Sequence, residues 1–348
     1  MTPLIPLRPL LAAVALLALT TCTSSKNEVA GEENEPPRAI YYWKTVFKLN
    51  NWERQFLERH NIRRIYLRMF DIHYSRDNDG THRSVPIATT RFADTVPAGI
   101  EIVPTVFITN KAMKNDPDFA EDLYTRVKAM VKANNLGPTR EIQLDCDFYS
   151  SQEASFTKLC RHVVELAHAD SVLVSATLRL HQLGNYTPPA DRAALMLYNT
   201  ESIHSNATSN SIITLKSVEN YVNRKIVCGI PVDIALPTYQ WGVLKSKWYP
   251  NWLQILHHSD YSDSTLYRQV SPNKYAVISW HVLDDKCLYI GDTIRFERAE
   301  HEVVAAARDR VTSQVTSPGR PGVILYHLDS LNLSKYSSEQ IEQLYSTH

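Results

Sequence analysis

The sequence predicts an α/β fold: a closed (β/α)8 TIM barrel over residues 39–348, with a small β insertion between its seventh and eighth strands. Three observations predict it. Eight short β-rich runs recur along the chain, mostly separated by amphipathic helical patterns, and that alternation marks a parallel sheet with crossover connections. About 310 residues fall within the range of such barrels, and right-handed βαβ units can close into a ring. Polar and aromatic residues also gather where the runs end, the place where barrels build their sites. An open doubly wound sheet is the alternative arrangement of the same units.

The elements follow in order. Ala39–Phe47 is the first β-rich run, and Asn51–Asn61 reads as a short helix with Trp52, Phe56 and Leu57 on one face. Arg64–Ile72 is the second strand and Ile100–Thr109 the third. Asp116–Asn135 has the pattern of a long amphipathic helix, stopped near Gly137-Pro138. Glu141–Tyr149 is the fourth strand, and the helix from Ser151 to about Ala169 carries Phe156, Leu159, Val163 and Leu166. Ser171–Leu180 and Arg192–Asn199 are the fifth and sixth strands, followed by a helical pattern through Ile212–Arg224. Val232–Tyr239 is the seventh strand and Gly322–Leu328 the eighth. Two links break the repeat. His73–Gly99 is long and polar without an obvious helix. The link from strand seven to strand eight holds Ala276–Val282, Lys286–Ile290 and Thr293–Glu297 as a small antiparallel insertion, then a helix over Glu300–Val315.

The first 38 residues lie outside the barrel. Arg8 precedes an apolar run, Leu10–Leu19, too short to span a bilayer, which needs ~20 residues. Leu19-Thr20-Thr21-Cys22 then resembles the cleavage site of a bacterial lipoprotein signal. That resemblance implies that residues 1–22 are a signal peptide ending at Cys22, the lipidated residue. Residues 23–38 are polar and acidic, with Glu28, Glu32, Glu33 and Glu35, and end in Pro36-Pro37. Such a segment reads as a flexible tether, with a mean reach on the order of 20–25 Å. The acidic run is similar to the surface-export signal of Bacteroidetes lipoproteins. The expected location is the cell envelope, at the outer membrane and facing outward, with membrane contact through the lipid anchor only.

Composition excludes several classes. The 348 residues are 44% hydrophobic and 21% charged, and Lys+Arg and Asp+Glu both number 37. No basic excess points to nucleic acid. Glycine patterns for phosphates or dinucleotides are absent. Besides Cys22 there are Cys146, Cys160, Cys228 and Cys287, without CxxC or Cys/His metal spacing. Cys146 and Cys160 read as small buried hydrophobes. His257 and His258 are adjacent and cannot easily face one metal, so neither a metal nor another cofactor is expected.

The most informative stretch is Glu141–Tyr149. It is a strand ending in Asp145 and Asp147, which alternation places on one face. Two such acids close together repel, raising one pKa and leaving one acid and one base. Asp147 and Asp145 are therefore the candidate catalytic residues. Asp147 would serve as acid or base with Asp329, Glu201 or Asp71 as the second carboxyl opposite. The bland alternative is that Asp145 bonds Arg68 or Arg179 and serves structure. Around this pair the strand ends place candidate substrate-binding residues: Trp43, Arg68 and Asp71, then Tyr149, Arg179 and His181. Tyr198, Asn199 and Glu201 follow the sixth strand, Tyr239 and Trp241 the seventh, and His327 and Asp329 the eighth. Aromatic faces stack on sugar rings while acids and amides bond hydroxyls. Trp241, Trp248 and Trp252 could form one stacking platform or pack under a loop.

The fourth strand resembles that of chitinase-type barrels, glycoside hydrolase family 18, which ends in Asp-Gly-x-Asp-x-Asp-x-Glu. Leu144-Asp145-Cys146-Asp147-Phe148 matches its two inner aspartates and the aromatic. Met196-Leu197-Tyr198-Asn199 is similar to the family's Met-x-Tyr-Asp, and Gly322–Tyr326 resembles its last strand. The chain also looks like uncharacterised Bacteroidetes lipoproteins with glycosidase-like barrels. The resemblance implies a carbohydrate ligand and, in the family, a general-acid Glu assisted by the substrate's N-acetyl group. Here Tyr149 replaces that Glu and Ile142 the first Asp, and a tyrosine with a reference pKa of ~10 is a poor proton donor. The expectation is a glycoside hydrolase-like envelope lipoprotein acting by carboxylate acid/base chemistry. Its alternative is a non-catalytic glycan-binding barrel.

Overall fold

The computed structural model describes residues 35–76, 80–249 and 251–347; the signal segment, Cys22 and most of the tether lie outside them. Glu35–His348 form one compact unit. Its eight parallel barrel strands are β1 (Ala39–Tyr42), β2 (Arg64–Arg76), β3 (Glu101–Ile108) and β4 (Glu141–Cys146), then β5 (Leu173–Arg179), β6 (Arg192–Met196), β7 (Val232–Pro237) and β8 (Val323–Tyr326). Each strand pairs with the next in sequence, and β8 returns to β1 through Ala39 opposite Ile324. The ring is closed, as the alternating pattern predicts.

The helices are set by their own chemistry. Asn51–Arg59 starts in a capping box, with Asn50 accepting from the Glu53 N–H and Glu53 accepting from the Asn50 N–H. Glu53 is nonetheless buried, and Lys44 Nζ pairs with it at 2.6 Å. Glu153–Ala169 buries Phe156, Leu159, Cys160, Val163 and Ala167, the three-and-four spacing of one helix face. The helix expected from Asp116 begins only at Ala120, after a separate short helix, Asn110–Asn115. Pro117 disfavours helical backbone at the residue before it, and Asp116 instead accepts the Ser84 N–H at 2.6 Å. The helix expected over Ile212–Arg224 spans only Leu215–Tyr221, with Thr214 as its cap. The link after β2 carries a strand, His82–Ile87, running antiparallel to β2. Strands four, six and seven end two or three residues short of their expected limits, and strand five one residue short, because the site residues beyond them turn into loops.

Inside the ring, polar and aromatic side chains lie in layers. Near the amino ends Arg64 meets Glu101 at 3.0 Å and Glu141 at 3.3 Å, and Arg192 meets Asp233 at 3.0 Å. Above them the Tyr41 hydroxyl donates to Gln143 at 2.7 Å. Between β7 and β8 stands a five-stranded antiparallel sheet ordered Leu253–Leu256, Gln240–Lys245, Thr293–Arg298, Lys274–Val277, Tyr267–Ser271. It has its own small core of Leu244, Leu256, Tyr261, Tyr267, Val277, Leu288 and Ile294. Gly242 is required there, since a Cβ would stand 2.1 Å from the Tyr261 hydroxyl. That hydroxyl donates to the His258 carbonyl at 2.8 Å and so holds the loop that reaches the barrel mouth.

Candidate active-site cleft

At the carboxyl ends of the strands lies a cleft of about 740 Å³. Asp145, Arg179 and Phe107 line it from within the barrel, and Trp43, Tyr326, Tyr198, Tyr239 and Trp241 form an aromatic wall. The rings support one another: Tyr198 stacks on Tyr326 with centroids 4.8 Å apart, and Tyr239 meets Trp241 edge-on at 5.2 Å. The Tyr239 hydroxyl donates to Asn199 at 2.8 Å, and the Trp241 indole N–H donates to the buried Glu297 at 2.8 Å. Asn199 reaches this place with a left-handed backbone, φ 53°, a conformation asparagine tolerates better than most residues.

Register explains the acids. β4 and β5 pair with Gln143 opposite Ser175, and side chains two residues apart share a face. Three inward pairs follow in step. Gln143 Nε2 donates to Ser175 Oγ at 3.3 Å, and Thr177 Oγ1 donates to Asp145 Oδ1 at 2.8 Å. Arg179 then forks onto Asp147, with Nη2 2.5 Å from Oδ2 and Nε bonded to Oδ1. Asp147 stands one residue past the end of β4 and is partly exposed. Asp145 is 5% exposed. Burial, then the neighbouring Asp147 carboxylate, push its pKa up to about 7, against the opposing pull of Arg179 and Thr177.

Asp71 reaches the same level through a backbone irregularity. The pairing of β2 with β3 slips between Arg68 and Phe70. Residues three apart on a regular strand face opposite sides, and one extra residue restores a shared face. Arg68 and Asp71 accordingly bond each other, Nε to Oδ1 at 2.7 Å and Nη2 to Oδ2 at 2.5 Å. Asp71, Phe107 and Asp145 then align across β2, β3 and β4.

Nine of the expected residues meet in the main cleft: Trp43, Asp145, Arg179, Tyr198, Asn199, Tyr239, Trp241, His327 and Asp329. Asp147, Tyr149 and His181 line a neighbouring pocket of about 300 Å³, which shares Arg179, Tyr198 and Asn199 with the cleft. Tyr149 is 66% exposed. Burial and Arg179 lower the His181 pKa. Arg68 and Asp71 line neither space, nor does Glu201, which accepts from Thr214 Oγ1 at 3.0 Å. Asp329 caps a short helix, Ser330–Leu333, accepting the Leu331 N–H at 3.2 Å, and its other oxygen accepts from Asn332 Nδ2 at 2.5 Å. Burial holds His327 down to about 4, so its imidazole is neutral at pH 7. The alternative in which Asp145 bonds Arg68 or Arg179 is not what forms: Thr177 bonds Asp145, Arg68 bonds Asp71 and Arg179 bonds Asp147. Trp248 and Trp252 stand apart from Trp241: they are 67% and 59% exposed and line none of the cleft.

Sequence reasoning missed Phe107, His257, His258, Asp284, Asn332 and Lys335 in the cleft. Phe107 was reachable by alternation along β3. The two histidines come from the insertion, their backbone N–H groups held by Asp284 Oδ2 at 2.7 and 3.0 Å, a placement no local pattern encodes. Among the described residues no group of histidine, cysteine, aspartate and glutamate is arranged to hold a metal, and no helix is long and apolar enough to cross a membrane. Cys146, Cys160, Cys228 and Cys287 are free thiols, the first two buried.

No protein-family model matches the sequence, and no curated protein matches it. Solved structures do. The class V chitinase from Nicotiana tobaccum is 10% identical with a TM-score of 0.50, over 88% of this chain and 97% of that one. A chitinase from Chromobacterium violaceum is 12% identical with a TM-score of 0.48, over 89% and 99%. The spore cortex-lytic enzyme SleL of Bacillus megaterium is 10% identical with a TM-score of 0.48, over 89% and 75%. At such identity the likeness is one of fold: the chain has the closed eight-stranded parallel barrel found in chitinases.

Proposed function

We propose that the cleft binds carbohydrate and that this barrel is a glycan-binding counterpart of the chitinase-type hydrolases. The aromatic wall of Trp43, Tyr326, Tyr198, Tyr239 and Trp241 around a polar floor carries the reading. Aromatic faces suit the C–H faces of sugar rings, and Asp145, Asn199, Gln240 and Asp329 present groups for hydroxyls. Binding is favoured over hydrolysis by the usual route because Tyr149 stands at the family acid's position and is exposed in the side pocket. Asp147 is bonded through both oxygens to Arg179, which leaves it poorly placed as a base. The sequence adds a lipid on Cys22 and an envelope location to this proposal.

The raised pKa of Asp145 supports a second reading. A carboxyl whose pKa is raised to about 7 on a cleft floor can act as general acid, with Asp329 and Asp284 as further carboxyls lining the cleft. A glycan panel scored for both retention and release of reducing ends separates the two. Retention without cleavage, falling at least tenfold in Trp43→Ala, is expected. Cleavage that Asp145→Asn abolishes would replace the binding reading with the hydrolytic one, and no retention of any glycan would end both.

A further inference from the structure

The outer end of the insertion carries an unusual concentration of exposed apolar side chains. Trp248, Tyr249, Trp252, Trp280 and Tyr289 are 67, 65, 59, 57 and 48% exposed, and Ile290 is 62% exposed. They belong to one surface. The buried Asp292 accepts the Lys247 N–H at 2.8 Å on one oxygen and the Tyr289 N–H at 2.9 Å on the other. It thereby ties the turn that carries Trp248 to the turn that carries Ile290. Lys247 lies against Gly291 and places its ammonium 5.3 Å from the Trp248 ring centroid. Tyr249 and Trp252 meet edge-on at 6.2 Å. The hairpin pairs His281 with Leu288 and Leu283 with Lys286, with Trp280 directly before its first strand and Tyr289 directly after its second. Contiguous exposed patches of this kind mark interaction sites.

We infer that this patch is a peripheral membrane-docking surface, which rests its aromatic and aliphatic side chains in the interface of a bilayer with anionic head groups. The mixture of side chains selects that occupant. Tryptophan and tyrosine concentrate at the level of lipid head groups, with lysine beside them. From Gln240 to His258 the only full charges are Lys245 and Lys247, and Lys247 stands over the Trp248 ring, a cation beside the rings that suits an anionic surface; the hairpin turn beyond adds Asp284, Asp285 and Lys286. A flat polysaccharide platform would need coplanar rings, whereas Tyr249 and Trp252 stand 76° apart. Exposed Ile290, and Val282 at 57% exposed, gain from acyl chains and not from sugar hydroxyls. The expected anchor at Cys22 would keep the domain within a short tether of a bilayer, and a single buried acyl chain binds only marginally without a second contact. The inference is independent of the carbohydrate reading.

The test uses residues 35–348, the compact unit described above, so that no acyl chain contributes. Sedimentation with vesicles of phosphatidylethanolamine and phosphatidylglycerol should carry the protein into the pellet, and brominated lipid should quench tryptophan fluorescence. The double substitution Trp248→Ser with Ile290→Ser should weaken partitioning at least tenfold, and Lys247→Glu should weaken it on anionic vesicles more than on neutral ones. Circular dichroism melts unchanged from the parent would show that these exposed substitutions leave the fold intact. Three results would overturn the inference: folded parent protein remaining in the supernatant at millimolar lipid, a dimer in sedimentation equilibrium that the double variant abolishes, or a soluble glycan that displaces the protein from vesicles through this patch.

Discussion

Asp145 offers the sharpest test of the electrostatics. Its carboxyl has an ordinary value of 3.8 and is pushed up to about 7 in the fold by burial and by Asp147. The proton is therefore bound more tightly by the folded chain than by the unfolded one. Below pH 3.8 both states are protonated and the group contributes nothing. Between about 4 and 7 the unfolded state ionises while the folded state does not, so stability falls as pH rises. The slope is ~1.4 kcal/mol per pH unit, and the whole difference of about 3 units is worth roughly 4 kcal/mol. Above about 7 both states are ionised and the loss is constant. Asp145→Asn keeps an oxygen to accept from Thr177, whose hydroxyl lies 2.8 Å away, and cannot ionise. The variant's stability relative to the parent should thus rise by about 3–4 kcal/mol between pH 4 and pH 8. Urea unfolding of both proteins at half-unit steps measures it, and taking the difference removes every other titration common to the two. A stability gap constant within about 1 kcal/mol across that range, or one that moves in the parent's favour as pH rises, would refute the claim that the fold holds this carboxyl protonated.

Two further outcomes follow from the neighbouring pairs. Arg179→Met removes the cation that opposes the rise at Asp145, so the pH at which the parent–variant gap levels off should move upward when Asp145→Asn is compared in that background; the same urea series reads it. Losing the pair should itself destabilise by about 1–2 kcal/mol, below the figure for a fully buried pair because Asp147 is 41% exposed. Asp71→Ala leaves Arg68, 13% exposed, without its bidentate acceptor, and should cost about 2–3 kcal/mol in thermal or urea unfolding. An unchanged midpoint would mean that the backbone irregularity at Met69 does not exist to bring Arg68 and Asp71 together.

The ring of eight strands was legible because each strand carries its own local signal and parallel topology orders them. Much of the mouth was legible for the same reason: strand ends point to it, and Trp43, Asp145, Tyr198, Trp241 and His327 all arrive there. Partnership was not legible. Alternation put Asp145 and Asp147 on one face, but only the register of β4 against β5 decides that one meets a threonine and the other an arginine. A shift of two residues would set Asp145 against Arg179 in one direction, or Asp147 against Thr177 in the other, and so change which carboxyl meets the cation. Asp71 eluded alternation, since the slip at Met69 changes the phase of β2 midway. Glu201 looked like a strand-end carboxylate, yet β6 stops at Met196 and the left-handed turn at Asn199 carries the chain away to Thr214.

These partnerships bear directly on the chemistry. A hydrolase of this barrel type needs a proton donor at the cleft, and Tyr149 at the familiar position faces solvent beside it. Asp147 could substitute only by releasing Arg179, a bidentate contact whose loss would strand a cation in the cleft wall. Asp145 needs no such release: its pKa is raised to about 7, so it keeps its proton up to near-neutral pH, and it already lines the cleft. Of the cleft's carboxyls Asp145 is the one whose pKa is raised toward neutrality, and the Asn variant that relieves the stability cost at pH 8 is the same variant that would silence cleavage by this acid. If that protein gains stability while retaining glycan and the parent releases no reducing ends, the raised pKa is a consequence of burial under a binding cleft and not an adaptation for proton transfer.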